Sequence, residues 1–157
     1  MKKVSMLLIS LVVIALIALF IIGRVSQNGQ APGITDGRLA RCPDTPNCVC
    51  SEYDGDQAHF IEPIELPAET AMTLARMRAA IIEQGGTIVS ERADYLAATY
   101  TTPLFGFVDD LEVRIEGDRG LAHVRSASRV GHSDLGANRK RVERLRELLR
   151  GSRADGD

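Results

Sequence analysis

The sequence predicts an α+β body, a mostly antiparallel sheet of four to five strands packed against two helices, standing behind an N-terminal transmembrane helix. Three observations predict it. Val4 to Ile22 runs for nineteen residues without a charge. Two later segments, 68–84 and 134–150, repeat apolar residues at helical spacing. Between them lie short runs rich in Val, Ile, Thr and Tyr, separated by turn residues. With 157 residues the chain holds one domain of ordinary size and an appendage.

A helix over Val4–Ile22 is roughly 28 Å long, which matches the hydrocarbon thickness of a bilayer. Lys2, Lys3 and the terminal amine precede it, and Arg24 is the only basic residue in the dozen that follow. The positive-inside bias then leaves the N-terminus cytoplasmic and carries the rest of the chain outward. A cleaved signal peptide has a shorter apolar run and a small-residue cleavage site. Phe20-Ile21-Ile22-Gly23-Arg24 offers no such site, and no Cys follows to carry a lipid. Residues 1–23 therefore read as an uncleaved signal anchor; secretion after cleavage is the alternative, and both readings export the same body. From 24 to 37 the composition turns to Ser, Gln, Asn, Gly and Pro, the pattern of a flexible tether. One globular domain is expected over 38–151, and a disordered tail over 152–157.

Cys42, Cys48 and Cys50 fall within nine residues. Their spacing fits neither a C-x-x-C redox pair nor a zinc knuckle, and a structural disulfide in an oxidising compartment is the better account. Spacing alone does not fix which two sulfurs pair.

His59 to Leu66 reads as a short edge strand, because Pro63 cannot donate to a ladder. Ala68 to Gln84 sets Leu74, Met77 and Ile81 on one helical face, and Gly85-Gly86 stops it. Two strands follow, Thr87–Arg92 and Tyr95–Thr102. A hairpin then runs from Phe107–Ile115 to Leu121–Ser128 around Gly117-Asp-Arg-Gly120. With Asp118-Arg119 at the turn, Val113 faces Val124 and Ile115 faces Ala122 on one side, while Glu112 faces Arg125 and Arg114 faces His123 on the other. Packing and charge select the same register. The last helix, Asp134–Arg150, aligns Leu135, Val142, Leu145 and Leu149, with Ser133 or Asp134 as N-cap and Asn138 on the apolar stripe.

The net charge of −2 conceals an asymmetry: Arg24–Asp118 carries 7 basic and 16 acidic residues, and Arg119–Arg153 carries 10 basic and 3 acidic. The near-neutral whole, without Trp and with three Tyr and four Phe, argues against a nucleic-acid surface. Within the basic third, Arg125 and Arg129 at a strand end and Asn138 and Arg141 on the following helix are expected to converge. Ser126, Ser128 and Asp134 lie beside them, and Asp109, Asp110 and Glu112 face them from the partner strand. Such a group is either a cleft for an anionic ligand or an internal salt-bridge network.

The catalytic inventory is thin. Ser126, Ser128 or Ser133 with His123 or His132 would make a nucleophile and base, yet no G-x-S-x-G or H-E-x-x-H occurs. The catalytic residues are unknown, and no metal or cofactor is expected.

Three segments resemble an uncharacterised family of bacterial envelopes and plastid-bearing organisms, the domain of unknown function 1499 family: Cys42-Pro-Asp-Thr-Pro-Asn-Cys-Val49, Phe107-Val-Asp-Asp-Leu-Glu-Val-Arg114, and Val124 to Arg139 with Arg141. The resemblance marks Cys42, Cys48, Asp110, Glu112, Arg125, Ser126, Ser128, Arg129, Asp134, Gly136, Asn138 and Arg141 as motif positions. It implies a Cys42–Cys48 disulfide and leaves Cys50, where Ser is more usual, unexplained. It brings no reaction with it. The functional expectation is a membrane-anchored extracytoplasmic module that binds an anionic small molecule or an envelope protein through its arginines. An envelope hydrolase using the same cleft and a purely structural envelope protein are the alternatives.

Overall fold

The computed structural model describes residues 2–66 and 70–154. Helix α1 (Lys2–Gln27) is apolar on all sides, and from Lys3 onward it is long and apolar enough to cross a membrane. From Lys3 onward its residues are exposed except Gly23 and Ser26 near the end, which are buried against the body.

Strands β1 (Ile34–Thr35) and β2 (Arg38–Leu39) form a two-strand hairpin. Asp36 and Gly37 between them both take positive φ, 52° and 75°, as a primed two-residue turn requires. The main sheet holds β3 (Cys48–Cys50), β4 (Ile64–Glu65), β5 (Thr87–Arg92), β6 (Tyr95–Thr101), β7 (Val108–Glu116) and β8 (Leu121–Ser128). Its order is β3-β8-β7-β6-β5, with β4 also paired to β8, and every pairing is antiparallel. The architecture is the expected α+β one, with one strand more than four to five.

The β7–β8 register sets Val113 against Val124, Ile115 against Ala122, Glu112 against Arg125 and Arg114 against His123, as the sequence predicts. A single 3₁₀ turn over Gly117–Arg119 closes the hairpin, and Gly120 at φ 62° returns its N–H to the Gly117 carbonyl.

Alternation gives the sheet two different faces. One presents Val49, Leu96, Ala98, Leu111, Val113, Ile115, Ala122 and Val124 to α2 (Thr70–Glu83) and α3 (Ala137–Ala154), which contribute Met77, Ile81, Val142 and Leu145. The other carries a smaller cluster of Cys50, Tyr95 and Ala97, covered by Ala31, Ile34, Leu39, Cys42 and Tyr53.

That second layer corrects the tether expected over 24–37. Helix α1 continues to Gln27, and the segment after it packs as a cover. The reason is chemical: this face holds a buried carboxylate, Glu112, and the Gly33 N–H donates to its Oε1 at 2.8 Å. Helix α3 begins three residues later than expected. The Asp134 carboxylate accepts the N–H groups of Gly136 (2.9 Å) and Asn138 (2.7 Å), so it caps the helix from outside. Leu135 is thereby left out of the core, at φ 54° and 88% exposed. At the other end α3 runs through Ala154, so 152–154 are helical; 155–157, and residues 68–69 of the expected helix, lie outside the described residues.

Candidate functional site

The residues singled out in the sequence do not form one cleft. The sheet divides them.

On the helix face, Asn138 is fully buried at the first turn of α3. Its Nδ2 donates to the Asn47 carbonyl (2.9 Å) and to Ser128 Oγ (3.0 Å), and its Oδ1 accepts from Ser126 Oγ (2.7 Å) and from Arg141. Arg141 also donates to Ser126 Oγ (2.9 Å) and to Asp109 Oδ2 (2.7 Å), and its guanidinium lies 4.3 Å from the centre of the Tyr100 ring. Burial pushes the Tyr100 hydroxyl up to about 12, against the pull of Arg141.

On the opposite face, Glu112 Oε1 accepts the Tyr95 hydroxyl (2.9 Å) as well as Gly33, and Oε2 accepts Arg125 Nη1 (3.0 Å). Burial raises the Glu112 carboxyl above its ordinary range, with Arg125, Tyr95 and Gly33 opposing it. Next along the strand, Asp110 receives two bonds from Arg129, at 2.8 and 2.7 Å. The hydrogen bonds to Asp110 raise the Arg129 guanidinium. Arg129 Nη1 also donates to the carbonyls of Ser26 (3.2 Å) and Gln27 (3.5 Å), the last residues of α1. A cation at a helix C-terminus satisfies carbonyls that have no partner within the helix. Ser26 Oγ in turn accepts the Val108 N–H at 2.7 Å.

Asp109 thus faces Arg141 rather than Arg125 or Arg129, because neighbouring strand residues point to opposite sides. Each of the three arginines already holds a carboxylate of its own: Glu112, Asp110 and Asp109. Of the two readings open in the sequence, the geometry is that of an internal network.

Nor do the expected serines meet a histidine. Ser126 and Ser128 lie on the helix face with Asn138, and His132 and Ser133 are exposed on the loop before α3. Sequence reasoning missed a different relay, in which Ser51 Oγ lies 3.3 Å from His123 Nδ1 and His123 Nε2 lies 2.8 Å from Glu116 Oε2. His123 and Arg119 hold the Glu116 carboxyl below the usual range. A cleft of about 450 Å³ adjoins the relay, bordered by Arg38, Glu52, Arg114 and Arg119. Acyl transfer needs the hydroxyl at the open end and the carboxylate behind. Here the order is inverted: Ser51 is 6% exposed, its Oγ already accepts the Val124 N–H (2.8 Å), and Glu116 is the outer member. Among the described residues, no group of three His, Cys, Asp or Glu side chains is placed to hold a metal.

Cys42 and Cys48 are disulfide-bonded, and Cys50 is a buried free thiol. The short loop they close presents Asn47, whose carbonyl takes Asn138 Nδ2 and the Ser128 N–H (3.0 Å) and whose Nδ2 donates to the Gly131 carbonyl (2.8 Å). The cysteine loop, the acidic strand β7 and the segment from β8 into α3 are therefore three parts of one hydrogen-bonded structure. No curated protein and no solved structure matches the chain significantly. The family model described as "Protein of unknown function (DUF1499)" matches residues 38–149, a span that contains all three interlocked segments, and the chain belongs to that family.

Proposed function

We propose that this is a single-pass, non-catalytic module of the bacterial cell envelope, with α1 in the inner membrane, the N-terminus cytoplasmic and the body periplasmic. Its arginine–carboxylate pairs build the body and mount it on its anchor. The observation that carries this reading is the Arg129 clamp, which grips Asp110 inside the body and the last carbonyls of α1 at once. A diffusible ligand binds equally well to a body on a loose tether. A fixed mount serves contact with another envelope protein, whose position the membrane also fixes. The Cys42–Cys48 disulfide supports an oxidising compartment.

Protease added to intact spheroplasts tests the orientation: the body is digested while a cytoplasmic marker survives. A body that is degraded only after lysis contradicts the proposal. The hydrolase reading reduces to Ser51, and a fluorophosphonate probe separates the two. The non-catalytic reading expects no labelling of the native protein. Labelling abolished in Ser51→Ala would establish an enzyme instead.

A further inference from the structure

The loop between β6 and β7 sits at the level of the outer end of the apolar helix. Phe105 packs edge-on against Phe20, with ring centres 5.2 Å apart, and Phe107 backs it at 6.0 Å. The loop backbone presses on Gly23 so closely that a Cβ there would lie 1.8 Å from the Phe105 carbonyl oxygen. Gln27 Nε2 donates to the Gly106 carbonyl at 3.2 Å. Phe20 is two residues short of Ile22, the end of the charge-free run, or about 3 Å inside it along the helix axis.

The loop's composition suits that depth. Thr101-Thr-Pro-Leu-Phe-Gly-Phe-Val108 carries no charge in a chain that is 25% charged. Leu104 at its tip is 68% exposed. A bare leucine beside a phenylalanine is unfavourable in water, and so close to a membrane-crossing helix its natural surroundings are acyl chains.

We propose that residues 103–105 dip into the outer leaflet beside α1, giving the body a second, monotopic contact with the bilayer. The inference rests on the reading of α1 as a membrane span. Two contacts fix the tilt of the body as well as its height.

The chain has no Trp, so single tryptophans report cleanly. Full-length Leu104→Trp, Leu11→Trp and Arg119→Trp are reconstituted in phosphatidylcholine–phosphatidylglycerol vesicles whose lipids are brominated near the headgroup or near the chain ends. Leu11 is in the middle of the span, and Arg119 lies at the opposite end of the sheet from the loop. Leu104→Trp should be blue-shifted and quenched several-fold more by shallow than by deep bromines, Leu11→Trp mainly by deep ones, and Arg119→Trp by neither. If Leu104→Trp behaves like Arg119→Trp while Leu11→Trp is quenched, the loop contact is wrong and the span stands. If Leu11→Trp escapes quenching, the span itself fails and the loop contact falls with it.

Discussion

Cys50 shows how far burial decides what a residue does here. It lies beside a disulfide-closed loop on the covered face of the sheet, and burial raises its thiol from 9.0 to about 11. The thiolate is the reactive form, so this cysteine is inert at ordinary pH. In native protein at pH 8, without reductant, maleimide should label no thiol; after denaturation it should label one per chain. Rapid native labelling, or three labelled thiols, would contradict the assignment. The sign for stability follows the same shift. The fold favours the neutral thiol, so its contribution is intact below pH 9 and is lost as pH rises toward 11. Burial governs Asp110 as well, whose side chain is 4% exposed. Leaving such a carboxylate without its arginine typically costs about 3 kcal/mol or more. The chemistry of these residues was legible in the sequence, but their division between two faces was only partly so. Period two separates Asp109 from Asp110, yet nothing in the strand shows that Arg141 reaches Asp109 from a helix. The Ser51 relay was hidden for a similar reason, since it depends on how β3 pairs with β8.

Elements were legible where two independent patterns agreed. The β7–β8 register follows from an apolar face and a charged face that select one alignment, and all four pairs read from sequence are present. Strand β3 is Cys-Val-Cys, three buried residues with no contrast between faces to reveal it. Strands β1 and β2 have two residues each, too few to show a period, although Asp36-Gly37 is a hairpin turn pair. Helix α3 starts later than its apolar spacing predicts because Asp134 caps from outside the helix and leaves Leu135 in a left-handed conformation. That conformation costs a β-carbon-bearing residue about 1–2 kcal/mol, and asparagine tolerates it better. With Leu135 88% exposed, little burial is lost on substitution, and Leu135→Asn should raise unfolding stability by about 0.5–1 kcal/mol in urea. A variant less stable than the parent would show that the leucine makes a contact the fold needs.

At the scale of the whole molecule, the sheet is a partition with different work on each side. The helix face holds the larger apolar core and the Asn138 network, which ties the cysteine loop to α3. The covered face holds Glu112, Arg125, Asp110 and Arg129 under the segment that leads out of α1. The Asp110–Arg129 pair thus serves twice: its charges neutralise each other inside the body, and Arg129 also holds the last carbonyls of α1. Composition alone gave the opposite picture, a flexible tether over 24–37, because polar and glycine-rich sequence reads as mobile unless the buried groups it covers are known.

The mount is the central claim, and a distance distribution tests it most directly. Spin labels at Arg24→Cys, on the last turn of α1, and at Asp118→Cys, at the far end of the β7–β8 hairpin, report it in the full chain held in lipid nanodiscs; both sites are exposed, and native Cys50 is buried. Double electron–electron resonance should give one narrow peak for a body bolted to its helix. A broad distribution spanning tens of ångströms, as a free fourteen-residue linker would produce, would contradict it.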